Sequence, residues 1–256
     1  MKQLTSTNNP IVKRLKSLHQ KKYRKEYGAF LLEGMRLVND AIINGHYPQI
    51  LLVQQDKLNK FSDIINACSD KCDIYEVSRS IIDALSLTES PEGILASVKM
   101  PSEAPESDND LILVLDGVQD PGNLGTIIRT ANSAGVKDIY FLGANADMYN
   151  PKVVRSTMGA IFHINPHYFG THEELYSHLR NKGYSICVTT LSDKNYYDID
   201  LPSKIALVMG NEGNGVSNTS IKNADHLLTL PMADGAESLN VAVCTGILIF
   251  DIKHRR

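Results

Sequence analysis

Six runs in the second half of this 256-residue chain are apolar at nearly every position: Leu111 to Leu115, Ile139 to Leu142, Ile161 to Ile164, Tyr184 to Thr190, Ile205 to Met209 and Leu227 to Leu230. A strand wetted on one face alternates polar and apolar residues. Near-continuous runs need cover on both faces, as in a parallel sheet between helices. Helical sequence lies between the runs. Asp120 is placed to cap a helix over 121–134 with Pro121 in its first turn, and Gly135 ends it. Leu124, Ile127, Ile128, Ala131 and Ala134 form one buried stripe on that helix, which turns Arg129 and Asn132 elsewhere. Further helices are predicted over 172–182 and 238–252.

Three of these runs end in glycine-containing segments: Asp120-Pro-Gly-Asn-Leu-Gly through Gly135, Gly210-Asn-Glu-Gly-Asn-Gly215, and Pro231-Met232 through Asn240. Chain that leaves a buried strand and turns at glycine presents backbone N–H and C=O groups that can close around a small polar ligand. The C-terminal edge of an open α/β sheet is also where ligands usually bind. Asn123, Arg129, Glu212, Ser238 and Asn240 are the polar candidates in these loops. Each has a bland reading too: Asn123 as a turn residue, Arg129 as a solvated helix charge, Glu212 as a turn acid, Ser238 as the N-cap of the last helix. Gly122-x-x-Gly125 lacks the G-x-G-x-x-G spacing of a dinucleotide site, and no Gly-Lys-Ser/Thr phosphate loop is present.

Ahead of this region, residues 1–100 read as a smaller α/β domain: a basic helix at about 9–26, strands at 29–33, 49–53, 73–77 and 93–98, and helices at 34–44, 57–68 and 79–85. Residues 101–110 carry two prolines and four acids with no large apolar side chain, the composition of a linker, so the second domain is expected over 111–256. Net charge is −3, but residues 1–36 hold nine Lys or Arg against Glu26 and Glu33, a balance of +7 that leaves −10 for the remainder. Such asymmetry suggests that the basic end meets a polyanion; the alternative is a solvated helix face.

No apolar run reaches the ~18 residues of a membrane span, and the N-terminus carries Lys2 and Asn8 rather than a signal-peptide core. With four scattered cysteines (Cys68, Cys72, Cys187, Cys244), the expectation is free thiols in a cytoplasmic protein. Metal chemistry is not indicated: no second pair completes a zinc site with Cys68 and Cys72, and Pro166 separates His163 from His167. Nor is there a Gly-x-Ser-x-Gly elbow for hydrolysis.

The stretch Asp120 to Gly135, Val208-Met-Gly-Asn-Glu-Gly213, and Pro231-Met232 with Ser238-Leu-Asn-Val-Ala242 resemble the three motifs of the SpoU-type RNA ribose 2′-O-methyltransferases of the SPOUT superfamily, in family order. Residues 150–162 resemble the segment between the first two motifs. Thr5-Ser6, Asn9-Pro10, Val12-Lys13, Lys21-Lys22 and Gly28 to Gly34 resemble, more loosely, the ribosomal-protein-like substrate-binding domain of family members that act on ribosomal RNA. One departure is visible in the third motif, where Asp234 stands in the family's glycine position and Gly235 follows.

The resemblance implies a mostly parallel C-terminal sheet with a deep trefoil knot, preceded by an RNA-binding α/β domain. It implies S-adenosylmethionine as cofactor, bound by Thr190, Leu191, Gly210, Asn211, Gly213, Leu230, Pro231, Met232, Ser238 and Leu239. Asn123, Arg129, Glu212, Ser238 and Asn240 would be catalytic. RNA would be held by Lys13, Arg14, Lys16, Lys21, Lys22, Arg24, Lys25, Lys152 and Arg155. A homodimer without metal is implied, acting on ribosomal RNA; transfer RNA as substrate, or a non-catalytic RNA-binding factor of the same fold, are the alternatives.

Overall fold

Residues 1–101, 105–192, 195–234 and 238–255 are described by this computed structural model. Linker residues 102–104, Gly235 of the third motif and the terminal residue of the 111–256 domain lie outside the described residues. The first hundred residues give β1 (Lys2–Leu4), α1 (Pro10–Ser17), α2 (Lys21–Tyr27), β2 (Ala29–Glu33), α3 (Met35–Ile43), β3 (Pro48–Gln54), α4 (Ser62–Cys68), β4 (Asp73–Val77), α5 (Arg79–Leu85) and β5 (Ile94–Lys99). There follow β6 (Leu111–Asp116), α6 (Pro121–Ser133), β7 (Asp138–Leu142), α7 (Pro151–Thr157), β8 (Asn165–Phe169), α8 (His172–Asn181), β9 (Ser185–Thr189), β10 (Ile205–Gly210), α9 (Asn218–Lys222), β11 (His226–Leu228) and α10 (Val241–His254). No described helix is long and apolar enough to cross a membrane.

Two compact units result, and the division does not fall only at the expected linker. Residues 147–162, which carry α7, join residues 1–102; the second unit comprises 103–146 and 163–256. The first unit is built on a mixed sheet of order β1-β4-β3-β5-β2, with β1, β4 and β3 parallel and β5 antiparallel to both β3 and β2. Its basic stretch is two helices rather than one, and Arg24 explains the break. The Arg24 side chain is 2% exposed; its Nη1 donates to the carbonyls of Leu18 and His19 at 2.8 Å each, and Nη2 reaches Asp147 at 2.5 Å. Carbonyls freed where α1 ends are thus satisfied by a guanidinium. Arg24 is therefore a structural residue, not the RNA contact that its neighbours in sequence suggested.

The second unit carries the parallel sheet expected from the apolar runs, in the order β11-β9-β10-β6-β7-β8. Every residue of β6, β7 and β10 is buried. One run was misassigned. Ile161 to Ile164 is no strand: Ala160–Phe162 form a 3-10 turn of the first unit, with the Phe162 ring 5.2 Å from that of His46 and 6.4 Å from that of Phe30. The strand is β8, and Pro166 is tolerated there because β8 is at the edge of the sheet.

The acidic stretch before β6 is tied down. Glu106 accepts from His178 at 2.7 Å and pairs with Lys182, and Asp108 accepts from Lys204 at 2.7 Å. Ser107 and Asn109 donate to Asp138, a fully buried carboxylate that also accepts from His167 at 2.9 Å and Asn165 at 3.2 Å. Burial alone would raise the Asp138 pKa; hydrogen bonds from His167, Ser107, Asn165 and Asn109 outweigh it and hold the carboxyl at about 2.

Candidate active site

The central strand β10 ends at Gly210, paired in register with Asp116 at the end of β6. A side chain is excluded at Gly210, because a Cβ there would collide with the backbone of Gly215 and Val216. The chain doubles back tightly: Asn211 N donates to Gly215 O at 2.8 Å and Gly215 N returns to Asn211 O at 3.0 Å. Asn211 fills the turn, its Oδ1 accepting from Gly213 N and Asn214 N at 2.9 and 3.0 Å while its Nδ2 donates to Gly117 O at 2.9 Å.

This turn aims Glu212 at the start of α6. Its carboxylate accepts from the N–H of Gln119 (3.2 Å), the N–H of Asp120 (3.1 Å) and Asn123 Nδ2 (3.1 Å). Asn123 Oδ1 in turn accepts from Asn240 Nδ2 at 2.9 Å, and Asn240 Oδ1 caps α10 by accepting from Ala242 N and Val243 N. One acid and two amides therefore connect all three glycine-containing segments. Partial burial works to raise the Glu212 pKa, but Asn123 and the backbone donors outweigh it and hold the group below the ordinary carboxylate range. The N-cap of α10 is Asn240, not Ser238 as expected, since Asn240 supplies the accepting oxygen. Asp120 caps α6 as predicted, accepting from Asn123 N.

Beside this network is a cavity of about 490 Å³, within the usual range for a small-molecule site. Thr190, Leu191, Gly210, Asn211, Gly213, Leu230, Met232, Ser238 and Leu239, all singled out from sequence, line it together with Glu212. Pro231 is not among the lining residues. Sequence reasoning missed the wall supplied by Met209, Val216, Val241, Cys244 and Leu248. Cys244 and Leu248 are four residues apart on α10, so the helical period could have flagged them. Apolar side chains around backbone amides, two threonines and a serine suit a ligand with a flat apolar part and polar edges.

Arg129 is not joined to the Glu212 network. It lies exposed on α6, and among the described residues its guanidinium has no partner. In the first unit Lys13, Arg14, Lys16, Lys21, Lys22 and Lys25 are exposed, as is Lys152 on α7. Arg155 is half-buried there, with Nη1 lacking a partner among the described residues. A second polar network also escaped notice: Asp116 accepts from Ser217 N (3.0 Å) and Ser220 Oγ (2.6 Å), His172 bonds Ser217 Oγ (2.8 Å), and Tyr176 donates to Ser220 (2.6 Å). Its signal was an acid ending an otherwise apolar run.

A parallel α/β sheet whose central strand ends in a glycine turn beside such a cavity places a ligand-binding site at the carboxyl ends of the strands. Residues 110–250 match the SpoU rRNA Methylase family, and residues 9–96 match the MRM3-like substrate binding domain. The chain is 36% identical to the 23S rRNA (guanosine(2553)-2'-O)-methyltransferase RlmP of Bacillus subtilis, over 99% of this chain and 100% of that one. An AdoMet-bound rRNA methyltransferase from Sinorhizobium meliloti superposes with a TM-score of 0.88 at 31% identity, covering 99% of this chain and 98% of that one. The SpoU methyltransferase AviRb from Streptomyces viridochromogenes in complex with AdoMet gives 0.88 at 25% identity, covering 97% and 98%. The chain belongs to the SpoU rRNA methylase family. It is an S-adenosylmethionine-dependent RNA 2′-O-methyltransferase with an N-terminal MRM3-like substrate-binding domain.

Proposed function

We propose that this enzyme methylates one ribose 2′-hydroxyl of ribosomal RNA, and that S-adenosylmethionine occupies the 490 Å³ cavity. The observation that carries the cofactor assignment is the cavity's position, walled by the Gly210 turn and by Leu230, Met232, Ser238 and Leu239, directly beside the Glu212–Asn123–Asn240 network. Thr190, Leu191, Asn211 and Gly213 complete the adenosine end, with Pro231 stiffening the segment. When bound, the cofactor supplies an electrophilic methyl group.

The chain's own task is positioning, since a ribose 2′-OH is a weak nucleophile and must be held in line with the methyl. Glu212 fixes the loop, while Asn123, Ser238 and Asn240 hold the target. Arg129 grips the target phosphate: an arginine does not lose its proton in proteins, so a simple base is the wrong role for it. Lys13, Arg14, Lys16, Lys21, Lys22 and Lys25, with Lys152 and the outer edge of Arg155, hold RNA phosphates. The choice of ribosomal over transfer RNA is supported by the MRM3-like domain and by relatives described as acting on rRNA.

The working molecule is a cytoplasmic homodimer. Support for the dimer comes from α10, whose outer face exposes Val243, Ile247 and Phe250. The family resemblance further supports a trefoil knot, in which the chain leading to α10 is threaded through the loops around β10. Mapping ribose methylation in cellular RNA with and without the gene tests the assignment. One 2′-O-methyl mark should vanish from ribosomal RNA; loss of a mark from transfer RNA alone would refute the substrate.

A further inference from the structure

The first unit carries an aromatic pair inside its basic surface. Tyr23 and Tyr27, one turn apart on α2, have ring centroids 6.1 Å apart and planes inclined by 16°. Cations rest on both rings: the Arg14 guanidinium of α1 lies 4.9 Å from the Tyr27 centroid and Lys22 Nζ lies 5.6 Å from that of Tyr23. Both tyrosines are partly buried, the body of Tyr27 leaning on the core beneath. Among the described residues neither cation has a carboxylate partner, nor do Lys13, Lys16, Lys21 or Lys25. Glu26 is the one acid within α2.

A fully charged helix pair needs no tyrosines to meet phosphates, and cations over aromatic rings at an exposed site add only modestly to stability. Near-parallel rings bordered by a guanidinium and an ammonium instead match what an unpaired base needs: a π face for stacking and positive charge for the adjoining phosphates. A base paired within a duplex cannot offer that face. Burial of Arg24 sharpens the arrangement, because the buried guanidinium fixes α2 against the end of α1 and so sets Arg14 over Tyr27.

We infer that Tyr23 and Tyr27, flanked by Arg14 and Lys22, form a stacking platform for an unpaired base of the substrate RNA, so that the enzyme selects a loop or strand rather than continuous duplex. This rests on the RNA reading of the site and narrows its substrate class.

The chain has no tryptophan, so Tyr23→Trp and Tyr27→Trp each create a single fluorescent reporter. Single-stranded oligoadenylate and the same strand annealed to oligouridylate are titrated at one salt concentration, with the circular dichroism spectrum and thermal unfolding of each variant as the check of folding. The expected result is quenching by the single strand and little by the duplex. Alongside, the Tyr23→Ala/Tyr27→Ala protein should bind the single strand roughly 5- to 100-fold more weakly with an unchanged salt slope, while Tyr→Phe at both positions retains affinity. Equal quenching by duplex and single strand, no quenching by either, or an alanine variant of unaltered affinity would overturn the platform. Methylation mapping in cells is independent of these readings, so the ribosomal assignment stands or falls separately.

Discussion

At the residue scale, charge without a partner separates Arg129 from its neighbours. Glu212, Asn123 and Asn240 hydrogen-bond one another, whereas the exposed Arg129 guanidinium has no partner among the described residues, as the proposed grip on a phosphate requires. Arg129→Ala should therefore lower methyl transfer by ~10²-fold, the scale of a lost orienting contact, and leave S-adenosylmethionine affinity unchanged by calorimetry. Glu212→Ala should do the reverse in binding. Gln119 N, Asp120 N and Asn123 Nδ2 lose their shared acceptor, and calorimetry should show weaker cofactor affinity before any RNA is added. Asn123, Glu212 and Asn240 were legible because each stands beside glycine or at a helix start. Ser238 was misread as the cap of α10 because serine and asparagine are near-equal caps, and only the backbone geometry decides that Asn240 does the capping.

Elements were legible where one face or one run dominates. The buried strands β6, β7, β9 and β10 and the stripe on α6 declare themselves through apolar pattern alone. Where a long-range contact intervenes the pattern misleads: Arg24 splits the basic helix by reaching back to Leu18 and His19, and Ile161 is apolar because it packs in the first unit rather than in a strand. The turn after β10 depends on a single missing Cβ. Gly210→Ala should displace residues 211–215 and weaken cofactor binding, with a stability loss of about 1–3 kcal/mol in chemical denaturation. The edge strand β8 depends on Asp138. Its folded pKa of about 2 lies below the ordinary 3.8, so the group contributes stability in full above the unfolded value and loses it as pH falls from about 4 through 2. Acid denaturation followed by circular dichroism should show this loss in the native protein. Asp138→Asn should abolish that part of the acid dependence and destabilise the fold by ~3 kcal/mol at neutral pH, since one of the two buried oxygens that accept from His167, Ser107 and Asn109 becomes an N–H donor facing other donors.

At the scale of the whole molecule, the last helix carries apolar side chains on its exposed side as well as on its buried one. The inner face of α10 buries Val241, Ala242, Thr245, Leu248, Ile249 and Ile252. Its outer face presents Val243, Ile247 and Phe250, exposed by 51%, 39% and 50% and spaced at i, i+4 and i+7, with Leu239 just before the helix. A surface helix ordinarily turns charge toward water, and a helix apolar all round is ordinarily enclosed. Scattered exposed leucines mean little, but an aligned stripe marks an interaction surface. In the homodimer proposed above, this stripe would pair with itself about a two-fold axis. Sedimentation should therefore give twice the chain mass of 28.3 kDa at micromolar concentration. Ile247→Glu with Phe250→Glu places like charges opposite each other across that axis, and the expected product is a folded monomer. The lining residues Cys244 and Leu248 belong to the other face of α10, so the monomer should keep its cofactor affinity in the same calorimetric titration. A native protein sedimenting at the mass of one chain, or a double variant sedimenting unchanged as a dimer, would show that this stripe is not the joint between copies.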